Sequence, residues 1–187
     1  MEQTGAFLVS PTSQDAMLLL DLPAGPYTAT IEGEGGTGVA IAEVYSVGEA
    51  AGSDARLVNV STRGFVGTGA GIMIPGFVTS GNTPRHLLIR AVGSTLVGLV
   101  GGAMEDPVLS IYTADGFEVA GNDDWDAPGL GDIVASITEK VGAFELPRGS
   151  RDAALLFVVP PDTPYTIQVS GKDRATGVVI AEVYEVP

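Results

Sequence analysis

The decapeptide GVAIAEVYSV fills residues 38–47, and GVVIAEVYEV fills residues 177–186. Extended towards the N terminus, the match carries residues 5–47 onto 142–186 with two single-residue insertions, both in turns. About half of the aligned positions are identical, among them Phe7/Phe144, Asp15/Asp152, Pro23/Pro160, Tyr27/Tyr165, Glu43/Glu182 and Tyr45/Tyr184. Two unrelated apolar strands do not keep register through several turns, so this is an internal repeat. Residues 56–141 have no second copy. The repeating unit therefore reads as 56–187, and residues 1–47 read as the last third of another unit. The small, polar GEAAGSDA (48–55) reads as the linker between them. The chain is an out-of-phase window on a tandem repeat.

Each copy of the repeated third predicts three strands. Asp15–Leu22 and Asp152–Val159 are apolar and end at proline. Pro26–Gly33 and Pro164–Gly171 alternate, and Gly38–Val47 and Gly177–Val186 form the third. Matching apolar positions and turn residues predict the same three-stranded arrangement for both copies. The unrepeated middle predicts strands at 55–62, 71–80, 85–93, 106–113 and 117–121, with Pro75 marking a bulge or an edge. One short helix is expected over Asp132–Val141, where Ile133, Ile137 and Val141 recur every fourth residue. The 26 Gly and 12 Pro are spread as punctuation between strands. Many short strands and one helix predict an all-β fold, an antiparallel β-sandwich or jelly roll.

Charge and composition narrow the function classes. A net charge of −14, with scattered Lys and Arg, argues against nucleic acid or an anionic lipid surface as partner. There is no cysteine, so disulfides and thiolate metal sites are excluded. AMLLLDLPAG (16–25) lacks a basic flank and recurs as AALLFVVPPD (153–162), so it reads as a strand and any export signal is expected outside the chain. No apolar run approaches the ~20 residues that span a bilayer, so no membrane insertion is expected.

LSIYTADGFEVAGNDDWD (109–126), followed by LPRGSRDAALLFVVPPDTPYTIQVSG (146–171), resembles bacterial pre-peptidase C-terminal domains. The upstream stretch 56–96 looks like the front half of a larger repeat found in long extracellular bacterial proteins. The resemblance implies a secreted β-sandwich at the cell surface or outside the cell. Some members of that group bind calcium or polymeric ligands; this chain carries no hydrolase segment, so only an accessory role transfers.

No residue pattern singles out a reaction. The one histidine, His86, lies in RHLLIRAV, and no G-x-S-x-G motif accompanies it, so it reads as structural. The densest acidic loop, GNDDWDAPGLGD (121–132), offers Asn122, Asp123, Asp124 and Asp126 as calcium ligands. Its spacing is not that of an EF-hand, and the alternative is a solvated turn with Trp125 packed over the sandwich edge. Glu43 and Glu182 sit among bulky apolar residues. Either each is buried against an arginine, with Arg63 and Arg90 as candidates, or the alanine face of its strand packs inward and the acid stays wet.

These features predict a non-enzymatic module without a required cofactor, of structural or adhesive kind. It is expected to associate head-to-tail with other copies of itself through its terminal strand sets, into filaments where the rotation does not close. In that reading the early strands fold back into 56–141 and leave 142–186 exposed. The alternative is an accessory module displaying Trp125 and the acidic loop to an extracellular polysaccharide or protein.

Overall fold

The computed structural model describes residues 6, 8–36, 38–47 and 56–187. The chain divides into two units, Met1–Leu57 and Val58–Pro187. The linker 48–55 and Phe7 lie outside the described residues.

The second unit is a β-sandwich of two four-stranded antiparallel sheets. Its strands are β1 (Asn59–Val66), β2 (Gly76–Phe77), β3 (Arg85–Val92), β4 (Pro107–Thr113), β5 (Glu118–Asn122), β6 (Ala153–Val159), β7 (Tyr165–Gly171) and β8 (Gly177–Val186). The first sheet has the order β1-β8-β3-β6 and the second β2-β7-β4-β5. Pro75 ends up beside β2, a two-residue edge strand, where its carbonyl accepts from the Ile167 N–H at 2.7 Å. Pro75 lies opposite Ile167, so the proline forgoes only the reciprocal bond of that pair, a loss that an edge strand tolerates.

Alternation on β3 and β8 explains the layering. Leu87, Ile89 and Ala91 of β3 and Val179 and Ala181 of β8 point between the sheets, against Leu109, Ile111, Ile167 and Val169. The intervening Leu88 and Val92, with Ile180 and Tyr184, point to the other side. That outer face is covered by α1 (Gly131–Lys140), Trp125 and Leu146. Both faces of the two central strands are therefore buried, which is why they read as nearly unbroken apolar runs. The buried stripe of α1 runs through Val134 and Thr138 with Ile137 beside it, whereas Ile133 is half exposed. The expected 133–137–141 stripe is thus rotated, because Val134 faces the sheet and Ile133 only flanks it.

Two expectations about the repeat are corrected. The strands of 142–186 do not form a three-stranded sheet: β6 pairs with β3, β7 with β2 and β4, and β8 with β1 and β3. None of the three pairs with another. The set 142–186 also fills the open positions of the front half, Val58–Val141, so it is not the exposed set. Residues 8–47, its sequence equivalent, hold a turn at Ser10–Ser13 and no strand among their described residues. The physical reason lies in the pairing: these sequences make strands only on the ladders of a front half, and the one described here is taken.

Candidate functional site

The most concentrated chemistry lies where β3 and β8 meet under the helix layer. Register places Arg90 directly opposite Glu182. Arg90 is fully buried, and its Nε and Nη2 donate to Glu182 Oε2 at 2.9 and 2.5 Å. Its Nη1 donates to the Phe144 carbonyl at 2.7 Å, and the Phe144 ring lies 4.4 Å from the guanidinium carbon. Tyr184 donates its hydroxyl to Glu182 Oε1 at 2.8 Å. Burial first, and then the Glu182 carboxylate, push that phenol up to about 12. Each side-chain nitrogen and oxygen of Arg90, Glu182 and Tyr184 has a hydrogen-bond partner within the group, as a buried ion pair requires. Arg90 is the partner of Glu182, whereas Arg63 is exposed on edge strand β1, across from Ile180. Both readings of the strand hold in part: its alanine face does pack inward, yet the acid on the other face is covered by the helix layer.

Asp152 is a second buried anchor. Its carboxylate accepts from the Gly93 N–H at 2.8 Å, the Thr95 N–H at 3.1 Å and the Ser150 hydroxyl at 2.7 Å, and also from the Thr95 hydroxyl. It ties the turn after β3 to the start of β6. The only sequence signal for it was its identity with Asp15.

The acidic loop is built from local contacts. The Asn122 side chain accepts from the Ala154 N–H at 2.8 Å and donates to the Asp124 carbonyl at 3.2 Å, joining the loop to β6. Asp123 pairs with Lys172. Asp126 accepts from Arg148 at 2.5 Å and from the Gly149 N–H at 3.0 Å, and the Arg148 hydrogen bond foremost holds its carboxyl below the usual range. Asp106, nearby, is pushed up by burial first and then by Asp123. Calcium takes six to eight oxygens. Here Asn122 and Asp126 oxygens face backbone N–H groups and Arg148, and Asp123 Oδ2 faces Lys172, whereas Asp123 Oδ1 and the neighbouring Asp106 Oδ1 are buried without a hydrogen-bond partner. Among the described residues, no three acidic or histidine side chains gather as metal ligands.

Trp125 is buried rather than displayed. It lies within the outer cluster, its indole N–H donates to Ser150 at 3.0 Å, and Arg148 stacks 5.1 Å from the ring. The alternative that relied on displaying it is corrected in that respect. His86 is exposed on β3, across from Val158 and Val186. No helix among the described residues is long and apolar enough to cross a membrane.

The remaining candidate is the segment 8–47, the sequence counterpart of 142–186. Its apolar residues face solvent: Leu19 is 84 % exposed, Ile41 77 % and Val39 96 %. Two local hydrogen bonds of the folded copy nevertheless recur in it. Tyr45 donates to Glu43 at 3.0 Å as Tyr184 does to Glu182, and Ser13 donates to Asp15 as Ser150 does to Asp152. No protein-family model and no curated protein matches this chain.

Proposed function

We propose that this chain is a non-catalytic structural or adhesive module, extracellular or at the cell surface, that assembles through the segment 8–47. The observation that carries the reading is the contrast between the two copies. The same sequence pattern is buried in sheets at 142–186 and solvent-exposed at 8–47. Exposed leucine and isoleucine side chains in such density favour association, since burial is worth ~25 cal/mol per Å². Edge strands β1, β2, β5 and β6 of a neighbouring copy offer unpaired backbone groups to such a set. Head-to-tail contacts of this kind extend into filaments unless their rotation closes a ring.

Sedimentation velocity and electron microscopy of the purified chain test this reading. Concentration-dependent oligomers or rods are expected, and removal of residues 1–47 is expected to abolish them. A chain that sediments as a monomer at every concentration would sink the self-assembly reading.

A further inference from the structure

The two copies differ at positions that decide which front half each one fits. We propose that residues 8–47 are the closing strands for a second front half, of the same architecture as Val58–Val141 but lacking its own last three strands. The proposal concerns the same segment as the assembly reading above but gives it a different partner, so the two stand or fall separately.

The folded copy shows what such a partner must offer. Glu182 meets Arg90 across the β3–β8 ladder, so Glu43 calls for an arginine at the equivalent strand position. Asp152 takes two backbone N–H groups from the turn after β3, so Asp15 calls for the same turn. Gly177 is glycine for a visible reason: a Cβ there would lie 2.8 Å from the Gly102 carbonyl oxygen and the Met104 nitrogen. Its equivalent, Gly38, has nothing within 4 Å of such a Cβ, yet glycine is kept. That residue serves a neighbour that the 8–47 set meets only when paired.

An intact second copy is not this partner, because β6–β8 already occupy its front half. Size differences point the same way. Where the folded copy puts Ile167 and Val179 into the inter-sheet core, the other has Ala29 and Ala40. Where the folded copy has buried Ala154, the other has Met17. Residues 8–47 would leave voids against the Val58–Val141 core and crowd its outer layer. The fitting front half carries larger core residues facing Ala29 and Ala40 and more room facing Met17.

A fusion tests the proposal. An extra copy of residues 56–141 is placed ahead of residue 1 of the full chain, with the 56–187 unit as internal reference. Hydrogen exchange followed by mass spectrometry reads protection at Leu18–Leu20, Ile31 and Ile41. Protection in the fusion is expected to exceed that in the unfused chain by at least about 100-fold, since these amides would move from open chain into a sheet. Glu43→Ala is expected to erase that gain without altering protection at 142–186. Ala29→Ile with Ala40→Val is expected to raise the melting temperature of the new sandwich towards that of the reference unit. If 8–47 exchange as fast as in the unfused chain even in a fusion carrying Ala29→Ile, Ala40→Val and Met17→Ala, which match the segment to the added 56–141 front half, the proposal is overturned. Protection in the fusion together with a strictly monomeric natural chain would sink self-assembly and leave this inference standing.

Discussion

Residues 8–47 and 142–186 share sequence and differ in nearly every structural property. Tyr184 is 9 % exposed and Tyr45 39 %, although each donates to the glutamate two residues before it. The local hydrogen bonds are properties of the sequence. The strands are properties of the ladder that receives them. Isolated hairpins and small sheets are marginal in water, and here the two copies separate those contributions within one chain.

The largest expected effect comes from removing one copy or the other. Deleting 142–187 takes every sheet partner from β1, β2 and β3 and leaves β4 only β5, and cooperative unfolding in urea is expected to vanish. Deleting 1–47 is expected to leave the midpoint of the sandwich in place. Equal effects of the two deletions would erase the distinction drawn here.

The same comparison sharpens at a single residue. Glu182→Ala leaves Arg90 charged and buried without its carboxylate, a loss of about 3–5 kcal/mol. Glu43→Ala is expected to change stability by no more than about 0.5 kcal/mol, as an exposed substitution does. Urea midpoints of the two variants check both values.

Alkali provides a milder probe. The fold favours the neutral Tyr184 phenol, so its contribution is complete below pH 10 and is lost as pH rises towards 12. Roughly 2–3 kcal/mol is expected to go over that interval, and Tyr184→Phe should flatten the dependence. Unfolding midpoints measured across the interval decide it.

The smallest effect is expected from chelation. Asp123 and Asp126 face Lys172 and Arg148, so a calcium chelator should leave the thermal midpoint unchanged. A drop of several degrees would show that the loop rearranges to hold a cation.

Much of the sandwich was legible because alternation and turns carry it. Strands at 85–93, 106–113, 152–159 and 177–186 fell within a residue or two of β3, β4, β6 and β8. The first strand was placed early, at 55–62, because the small and polar residues of STRGFV resemble a turn until β8 pairs with them. The three strands of the repeat were legible as strands, but their partners were not. Periodicity reports which face of a strand is buried, not which neighbour buries it. Asp152 escaped notice as an anchor for the same reason, since its ligands are backbone N–H groups of a turn that no motif marks. The strands expected at 15–47 failed on one physical point: propensity does not supply a ladder.

The interleaving of β6, β7 and β8 among earlier strands also governs how this protein is made. As a ribosome extends the chain at roughly 5–20 residues per second, β1 and β3 emerge with a strand-wide gap between them that only β8 fills. The second sheet waits in the same way for β7. For several seconds the nascent front half holds two open seams lined with Val66, Leu87, Ile89 and Leu109, side chains that end up buried. A chain with this topology closes late and all at once, so a holdase chaperone that binds extended apolar segments has its window during synthesis and loses its binding site when β8 docks.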